Sequence, residues 1–383
     1  MWYKIEPLDT LFFRDGRPFT MGAETWANPV FPPYPSTLYG AIRTWLIFER
    51  GTLKDFESGK FKDELGTPTE KGSLNIKGPF IGLDDTLYFS VPNDLLKKKD
   101  KNDNKLFKID LLKSPEILIS DYPLEKTLIN KSDFTLEEID WFINMAFMKD
   151  YLLSGKAFMK DYLLSGKKAD LTFDVKEKKD FFLHEKKTGI KRSRKTLSSE
   201  EGYLYRIPMI RLERKEGKVS LFVEIEGLDV NNYPEGGLIQ LGGEGRVAKI
   251  SKYANDLLKT LKEMTSKFEF KIFKLYLATP AIFENGWLPK WIDKESFKGN
   301  YNGIDLKLIA CSIGKYNLIG GWDLANQKPK PMYKAVPAGS VYYFEILNNT
   351  SAEKIKETFH LKNVSDKNSE EGFGLSLVGE VGL

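Results

Sequence analysis

The order in which apolar segments recur constrains this chain more than any other feature. Trp2 to Asp9 alternates as a strand does, and Leu11-Phe12-Phe13 then leads into a turn at Arg14-Asp15-Gly16-Arg17-Pro18. After a proline-rich stretch from Pro29 to Pro35, residues Leu38, Ala41, Ile42, Trp45, Leu46 and Phe48 fall at helical spacing. Ser36 stands where an N-cap would and Gly51 closes the segment, so the spacing predicts a helix from Thr37 to Arg50. Pro79 to Val91 reads as strands about an Asp84-Asp85 turn, and Val219 to Glu226 as another strand. A glycine-rich loop precedes a strand ending near Ile250, and Ala254 to Met264 reads as a polar helical connection. The second half gives strands at Phe268 to Leu277, Leu306 to Ile319 and Ser340 to Leu347, a helix at Ala352 to Phe359 and a last strand at Phe373 to Val381. An irregular piece rich in Trp and Pro, Ala281 to Trp291, replaces its first helix. Strand, helix, strand, strand, helix, strand thus occurs twice in 383 residues, once with an insertion and once with a weakened first helix. That is the pattern of an α+β chain of two ferredoxin-like (RRM-like) domains, 1–255 and 256–383. The first carries a large insertion at about 92–215.

Charge is informative by position rather than by total. The 58 basic and 54 acidic side chains leave a formal net charge of +4, too balanced to identify a nucleic-acid binder. The arginines, however, are confined to two zones: Arg14, Arg17, Arg43 and Arg50, then Arg192, Arg194, Arg206, Arg211, Arg214 and Arg246. A guanidinium group grips phosphate or carboxylate through a planar fork and stacks on bases, so these zones are candidates for an anion surface or for structural ion pairs. From Lys176 to Lys195 nine basic residues face three acids, a net of +6, interrupted by Phe181-Phe182-Leu183 and Gly189-Ile190. With the alternation resuming at Gly202 to Arg206, the segment predicts a long basic hairpin inside the insertion, with Lys191, Arg192 and Arg194 on it. Lys97-Lys98-Lys99-Asp100-Lys101 lacks apolar interleaving and reads as a solvated loop. Within the insertion, Ala146 to Lys156 is repeated without change as Ala157 to Lys167. A helix tolerates an eleven-residue repeat because it returns close to its starting phase, so one long helix and two helices broken at Ser154-Gly155 both remain open.

Residues for chemistry are scarce. One cysteine and two histidines exclude a disulfide framework and a zinc site built on four Cys and His ligands. No cofactor or metal is expected. The start Met1-Trp2-Tyr3-Lys4-Ile5-Glu6 has no basic segment followed by an apolar one, and no run of about 18 apolar residues occurs, so a cytoplasmic chain without a membrane span is expected. Gly242-Gly243-Glu244-Gly245 is no dinucleotide fingerprint, since the glycine spacing is wrong and a strand follows. It reads either as a nest for phosphate beside Arg246 or as a tight turn. His184 is a general base or a packed residue beside the hairpin, and His360 ends an amphipathic helix, where a cation is favoured by the dipole. Cys311 sits in an apolar strand as a core residue.

Several of these residues together carry a family resemblance. Leu8 to Phe19 with Arg14-Asp15-Gly16-Arg17-Pro18, Pro33-Tyr34-Pro35-Ser36-Thr37-Leu38-Tyr39-Gly40-Ala41-Ile42-Arg43, and Leu241-Gly242-Gly243-Glu244-Gly245-Arg246 resemble the third-subunit family of the Cmr complex, the type III-B CRISPR effector. His184 to Tyr205, Thr279-Pro280-Ala281, Val336-Pro337-Ala338-Gly339-Ser340 and Gly372-Phe373-Gly374 are similar to it as well. The resemblance implies a RAMP-superfamily protein acting in antiviral defence, an RNA-binding subunit and not a nuclease. It implies that the subunit holds the 5′ tag of crRNA, docks the large polymerase-like subunit and lies beside a backbone RAMP subunit. Carried onto this sequence, the RNA-facing positions are Arg14, Arg17, Ser36, Thr37, Gly40, Arg43, Gly242, Gly243, Gly245 and Arg246, with Lys191, Arg192 and Arg194 on a thumb-like hairpin. Helix N-terminal amides at Ser36 and Thr37 suit a phosphate, and Gly40 permits close approach. Two other readings are set beside this one: a RAMP endoribonuclease that cuts precursor crRNA with His184 as base, and a protein-docking module without RNA contacts.

Overall fold

Side chains of Tyr3 and Ile5 alternate with Trp2 across β1 (Trp2–Pro7), so the strand feeds apolar groups to both faces of the sheet it centres. The computed structural model describes the chain apart from residues 18–28, 100–105, 109, 114–122, 130–134, 154–173, 194, 197, 213–216, 265–270, 324–326 and 382–383, with 106–108, 110–113, 191–192 and 199–205 described by their backbone. Arg194 and most of the duplication therefore lie outside the described residues. The chain runs through α1 (Pro35–Arg50), β2 (Asn75–Leu83), β3 (Thr86–Ser90), β4 (Trp141–Asn144), α2 (Met145–Leu153), β5 (Val175–Glu177), β6 (Leu183–Arg192), β7 (Ser199–Arg211), β8 (Val219–Glu226), β9 (Gly236–Gln240) and β10 (Val247–Tyr253). It continues with β11 (Ile272–Leu277), β12 (Lys298–Tyr301), β13 (Ile304–Ser312), β14 (Val341–Ile346), α3 (Ala352–Phe359), β15 (Lys362–Asn363) and β16 (Leu375–Glu380). The result is a mixed α+β chain rich in strands.

The first sheet has the order β5-β4-β3-β2-β8-β1-β10-β9 and the second β12-β13-β14-β11-β16-β15. The pairings in both sheets are antiparallel. α1 covers one face of the first sheet with Leu38, Ile42, Trp45 and Leu46, each such burial stabilising by about 1.5–3 kcal/mol. Trp45 meets Tyr3 edge-on at 5.6 Å, and a side chain at Gly237 would lie 2.7 Å from the Trp45 indole nitrogen. α1 starts two residues before the predicted Thr37. Pro35 occupies its first turn, where a missing N–H costs nothing, and Tyr34 rather than Ser36 is the N-cap.

Other expectations are corrected by tertiary partners. The predicted connecting helix shrinks to Lys259–Lys262, because the Asp256 carboxyl accepts from Trp2 Nε1 and from the Leu258 amide, both at 3.1 Å, and holds the preceding residues as a turn. The lysine run read as a loop begins as a strand, Leu95–Lys98, with the Lys97 ammonium 5.1 Å from the Trp141 ring. The basic segment divides: Lys176 belongs to β5, and the two-stranded β6–β7 ribbon begins at Leu183 and pairs as far as Arg192 with Ser199. No helix among the described residues is long and apolar enough to cross a membrane.

The two sheets share a core. α2, which holds the beginning of the first repeat copy, inserts Phe147, Met148, Tyr151 and Leu152 among Trp2, Phe80 and Phe222 of the first sheet and Tyr276, Tyr343 and Leu377 of the second. Buried Asp94 accepts from Tyr151 at 2.8 Å and Tyr343 at 2.5 Å. Buried Lys274 donates to the Tyr151 carbonyl at 2.6 Å and lies 3.4 Å from that ring's centre.

His360 is not the exposed cation that the end of α3 suggests. The imidazole is buried, its Nδ1 accepts from the Val378 amide at 3.1 Å and its Nε2 lies 3.1 Å from the Leu261 carbonyl, a pattern that assigns a neutral ring with the proton on Nε2. Burial pushes its pKa down from 6.5 to about 4. Between those values the unfolded chain binds the extra proton, so this contribution is full above about pH 6.5 and is lost as pH falls towards 4. From this group stability should fall by about 3 kcal/mol between pH 7 and pH 4, and His360→Gln should flatten that slope in urea titrations. An unchanged slope in the variant would contradict the assignment.

Candidate functional site

Three segments distant in sequence meet at the foot of the β6–β7 ribbon. Leu11 and Ile210 exchange backbone hydrogen bonds at 2.8 Å, which pins the chain after β1 to β7. The Gly243 amide donates to the Phe12 carbonyl at 2.9 Å, and Phe12, Ile207 and Met209 form a small apolar cluster beneath. The glycine loop is the turn between β9 and β10, closed by the Leu241 amide on the Arg246 carbonyl at 2.8 Å. Gly242 has φ +79°, and a side chain there would stand 2.4 Å from the Phe12 carbonyl oxygen, so only glycine lets the two backbones approach. Gly245, at φ +63°, faces open space.

Ion pairs fasten this junction. Asp9 lies between Arg246 at 2.7 Å and Arg211 at 3.4 Å, Arg211 also grips Glu185 at 2.7 Å, and Lys187 reaches Glu244 at 3.2 Å. The Thr10 amide, then the two guanidinium groups, hold the Asp9 carboxyl below its usual pKa. Three cations against three acids leave the foot near neutral, so its arginines orient the ribbon more than they attract anions. Arg246 nevertheless keeps a buried Nε without a partner among the described residues.

Exposed cations lie on either side of that junction. Arg14 and Arg17 are exposed, with Arg14 donating to the Arg17 carbonyl at 3.1 Å and Arg17 3.3 Å from Asp15. Farther along the ribbon, register places Lys186, Thr188 and Ile190 on one face with Arg206, and all four are exposed. Lys191 and Arg192 continue β6, and their side chains lie outside the described residues. Arginine placement points to these loops; Lys186 and Arg206 as face partners need the register.

The α1 positions separate from this group. Ser36 and Thr37 form the first turn, and the Thr37 amide is already given to the Tyr34 carbonyl at 2.9 Å. Tyr34 packs against the cluster of Ile282, Ile319, Ala335 and Phe373, and burial, with the Asp15 charge second, pushes its hydroxyl up to about 12. Gly40 is exposed with nothing near its missing side chain. Arg43 turns to protein: it donates to the carbonyls of Leu65 at 2.7 Å, Thr67 at 2.6 Å and Glu70 at 3.3 Å, and lies 4.8 Å from the Phe56 ring centre. Three backbone acceptors explain its fork without an RNA.

His184 is exposed on the ribbon, edge-on to Phe182 at 5.4 Å, and burial followed by the Lys178 charge lowers its pKa. The one charge acting on it in this way is a cation, which favours the neutral ring. Half-buried Cys311 lies in β13. The remaining motif segments make hydrogen bonds within the protein. The Gly339 carbonyl accepts from the Asn93 amide at 2.8 Å, and Thr279 Oγ1 both donates to the Gly372 carbonyl at 2.7 Å and accepts from the Leu375 amide at 2.8 Å.

The chain is similar to known proteins. The family described as CRISPR-associated protein (Cas_Cmr3) matches residues 3–381. A chain in the cryo-EM structure of the type III-B Cmr-beta complex bound to cognate target RNA and AMPPnP superposes with TM-score 0.50 and 19% identity, covering 90% of this chain and 86% of that one. A second structure of that complex bound to cognate target RNA gives TM-score 0.49 and 18% identity over 97% and 95% of the two chains. A crystal structure of a Csm3–Csm4 subcomplex of the type III-A interference complex gives 0.35 and 14%, over 92% and 95%. Comparison with curated proteins yields no match.

Proposed function

Since the chain belongs to the Cas_Cmr3 family of CRISPR-associated proteins and is thereby a RAMP-type subunit of the type III-B Cmr complex, we propose that it holds the 5′ tag of crRNA without cutting it and docks the large polymerase-like subunit, beside a backbone RAMP subunit, in the cytoplasm. The observation that carries this reading is the convergence of the Arg14–Arg17 loop, the basic ribbon and the glycine turn on one junction whose ion pairs leave the exposed cations on its flanks. Phosphates would be met by Arg14, Arg17, Lys186 and Arg206, with the ribbon cations Lys191, Arg192 and Arg194 beyond them. The turn at Gly242, Gly243 and Gly245, with Arg246, would lie against the RNA backbone. Ser36, Thr37 and Gly40 stay in the proposal as a helix end for one phosphate. Arg43 leaves it.

The strand orders β2-β8-β1-β10 and β13-β14-β11-β16 support reading the two units, 1–255 and 256–383, as ferredoxin-like. In each, the first strand lies between the third and fourth, as that fold requires.

The test is equilibrium binding of the full chain to a tag-bearing crRNA across a salt series. Arg14→Ala with Arg17→Ala, and Lys186→Ala with Arg206→Ala, should each weaken binding about tenfold or more, and flatten the plot of log affinity against log salt by about 0.7 for every phosphate no longer neutralised. Unchanged affinity and slope in both double variants would overturn the reading.

A further inference from the structure

On the second unit, a small ribbon pairs Asn317–Ile319 with Tyr333–Ala335. Its alternation sends Ile319, Tyr333 and Ala335 inward onto Ile282 and Phe373. The opposite face presents Tyr316 and Met332, 49% and 52% exposed, and the Lys334 ammonium lies 4.9 Å from the Tyr316 ring centre. Trp322, 56% exposed, follows at once and pairs across from Pro329. These rings contribute nothing to the core, and their exposure to water is unfavourable unless something covers them. Between residues 313 and 335 the chain carries Lys315, Lys328, Lys330 and Lys334 against one acid, Asp323.

The ribbon is not isolated from the candidate site. The Gly16 amide donates to the Leu318 carbonyl at 3.1 Å, and a side chain on Gly16 would stand 2.8 Å from the Gly320 nitrogen. Both glycines are needed for this approach, which joins the Arg14–Arg17 loop to the edge of the ribbon. Arg17 therefore stands at the junction, and Trp322 follows Gly320 by two residues.

We propose that Tyr316, Met332 and Trp322, with the lysines around them, form a stacking platform for unpaired RNA that continues from the Arg14–Arg17 loop. This rests on the reading that the chain holds RNA, and it adds where bases rather than phosphates are received. Flat exposed rings interleaved with cations suit a polyanion with π-faces. Protein interfaces, by contrast, are depleted of lysine at their centres.

The test uses the full chain and a labelled, unstructured oligoadenylate. Trp322→Ala and Tyr316→Ala should each weaken binding about tenfold, whereas Trp322→Phe should bind nearly as the parent does. All three side chains are exposed, so thermal midpoints should not move. If Arg14→Ala with Arg17→Ala loses affinity while the ring variants bind as the parent does, the platform is overturned and the RNA-holding reading stands. If the parent binds no RNA, both fall. Ring variants that keep RNA but lose the large subunit in a reconstituted complex would assign this face to protein and overturn the proposal.

Discussion

Replacing Asp94 by alanine should lower the free energy of unfolding by about 3–5 kcal/mol, the largest effect expected of any single change described. Asp94 is fully buried where the insertion meets the second sheet, and it receives the hydroxyls of Tyr151 and Tyr343. Burial, and then the charge of Asp94, push the Tyr151 phenol well above its ordinary pKa, so that hydroxyl keeps its proton and has to donate it. Alanine would take its acceptor from the buried Tyr151 phenol, at about 1–3 kcal/mol, remove the carboxylate that Tyr343 also donates to, and leave a cavity. Asp94→Asn keeps the shape and one acceptor and should lose clearly less. Urea midpoints of the two variants decide the matter, and an alanine variant within about 1 kcal/mol of the parent would show that the carboxylate is dispensable.

Arg43→Ala should cost about 2–4 kcal/mol and leave the RNA affinity of the folded protein unchanged. Three carbonyls in the 65–70 turn would lose a charged donor at once, and the turn, which packs Leu65 into the core, would lose its tie to α1. Arg43→Lys retains the charge but not the planar fork, and should recover only part of the loss. A stable Arg43→Ala protein with weakened crRNA binding would return this residue to the RNA surface, where the family resemblance places it.

Arg43 shows what one sequence conceals. Its acceptors are backbone carbonyls 22–27 residues downstream, and carbonyls carry no residue signature. His360 shows the same limit. Helix periodicity locates α3 to the residue, but the groups that make its last imidazole neutral come from Leu261 and Val378, which only tertiary packing brings there. Strands whose two faces both meet core, such as β8, are legible because their own apolar runs specify them. The ends of α1 and of the connector are not, because Pro35 and Asp256 act through geometry that residue preference alone does not reveal.

For the site, the concentration of arginine in two zones is legible, and the structure joins Arg246 and Arg211 through Asp9. The near-neutral balance of that junction is not, since Asp9, Glu185 and Glu244 lie far apart in sequence. The Tyr316 to Lys334 ribbon is hidden as well, because its alternation is only three residues long on each strand. Exposure, not spacing, distinguishes its rings.

RNA is proposed to lie along the Arg14–Arg17 loop and the β6–β7 ribbon. Crosslinking a photoreactive 5′ tag within the assembled effector, followed by peptide mapping, tests it most directly. Adducts concentrated in peptides that contain Arg14 to Arg17 and Lys186 to Arg206 are the predicted result. Adducts confined to other subunits, with none on this chain, would contradict it.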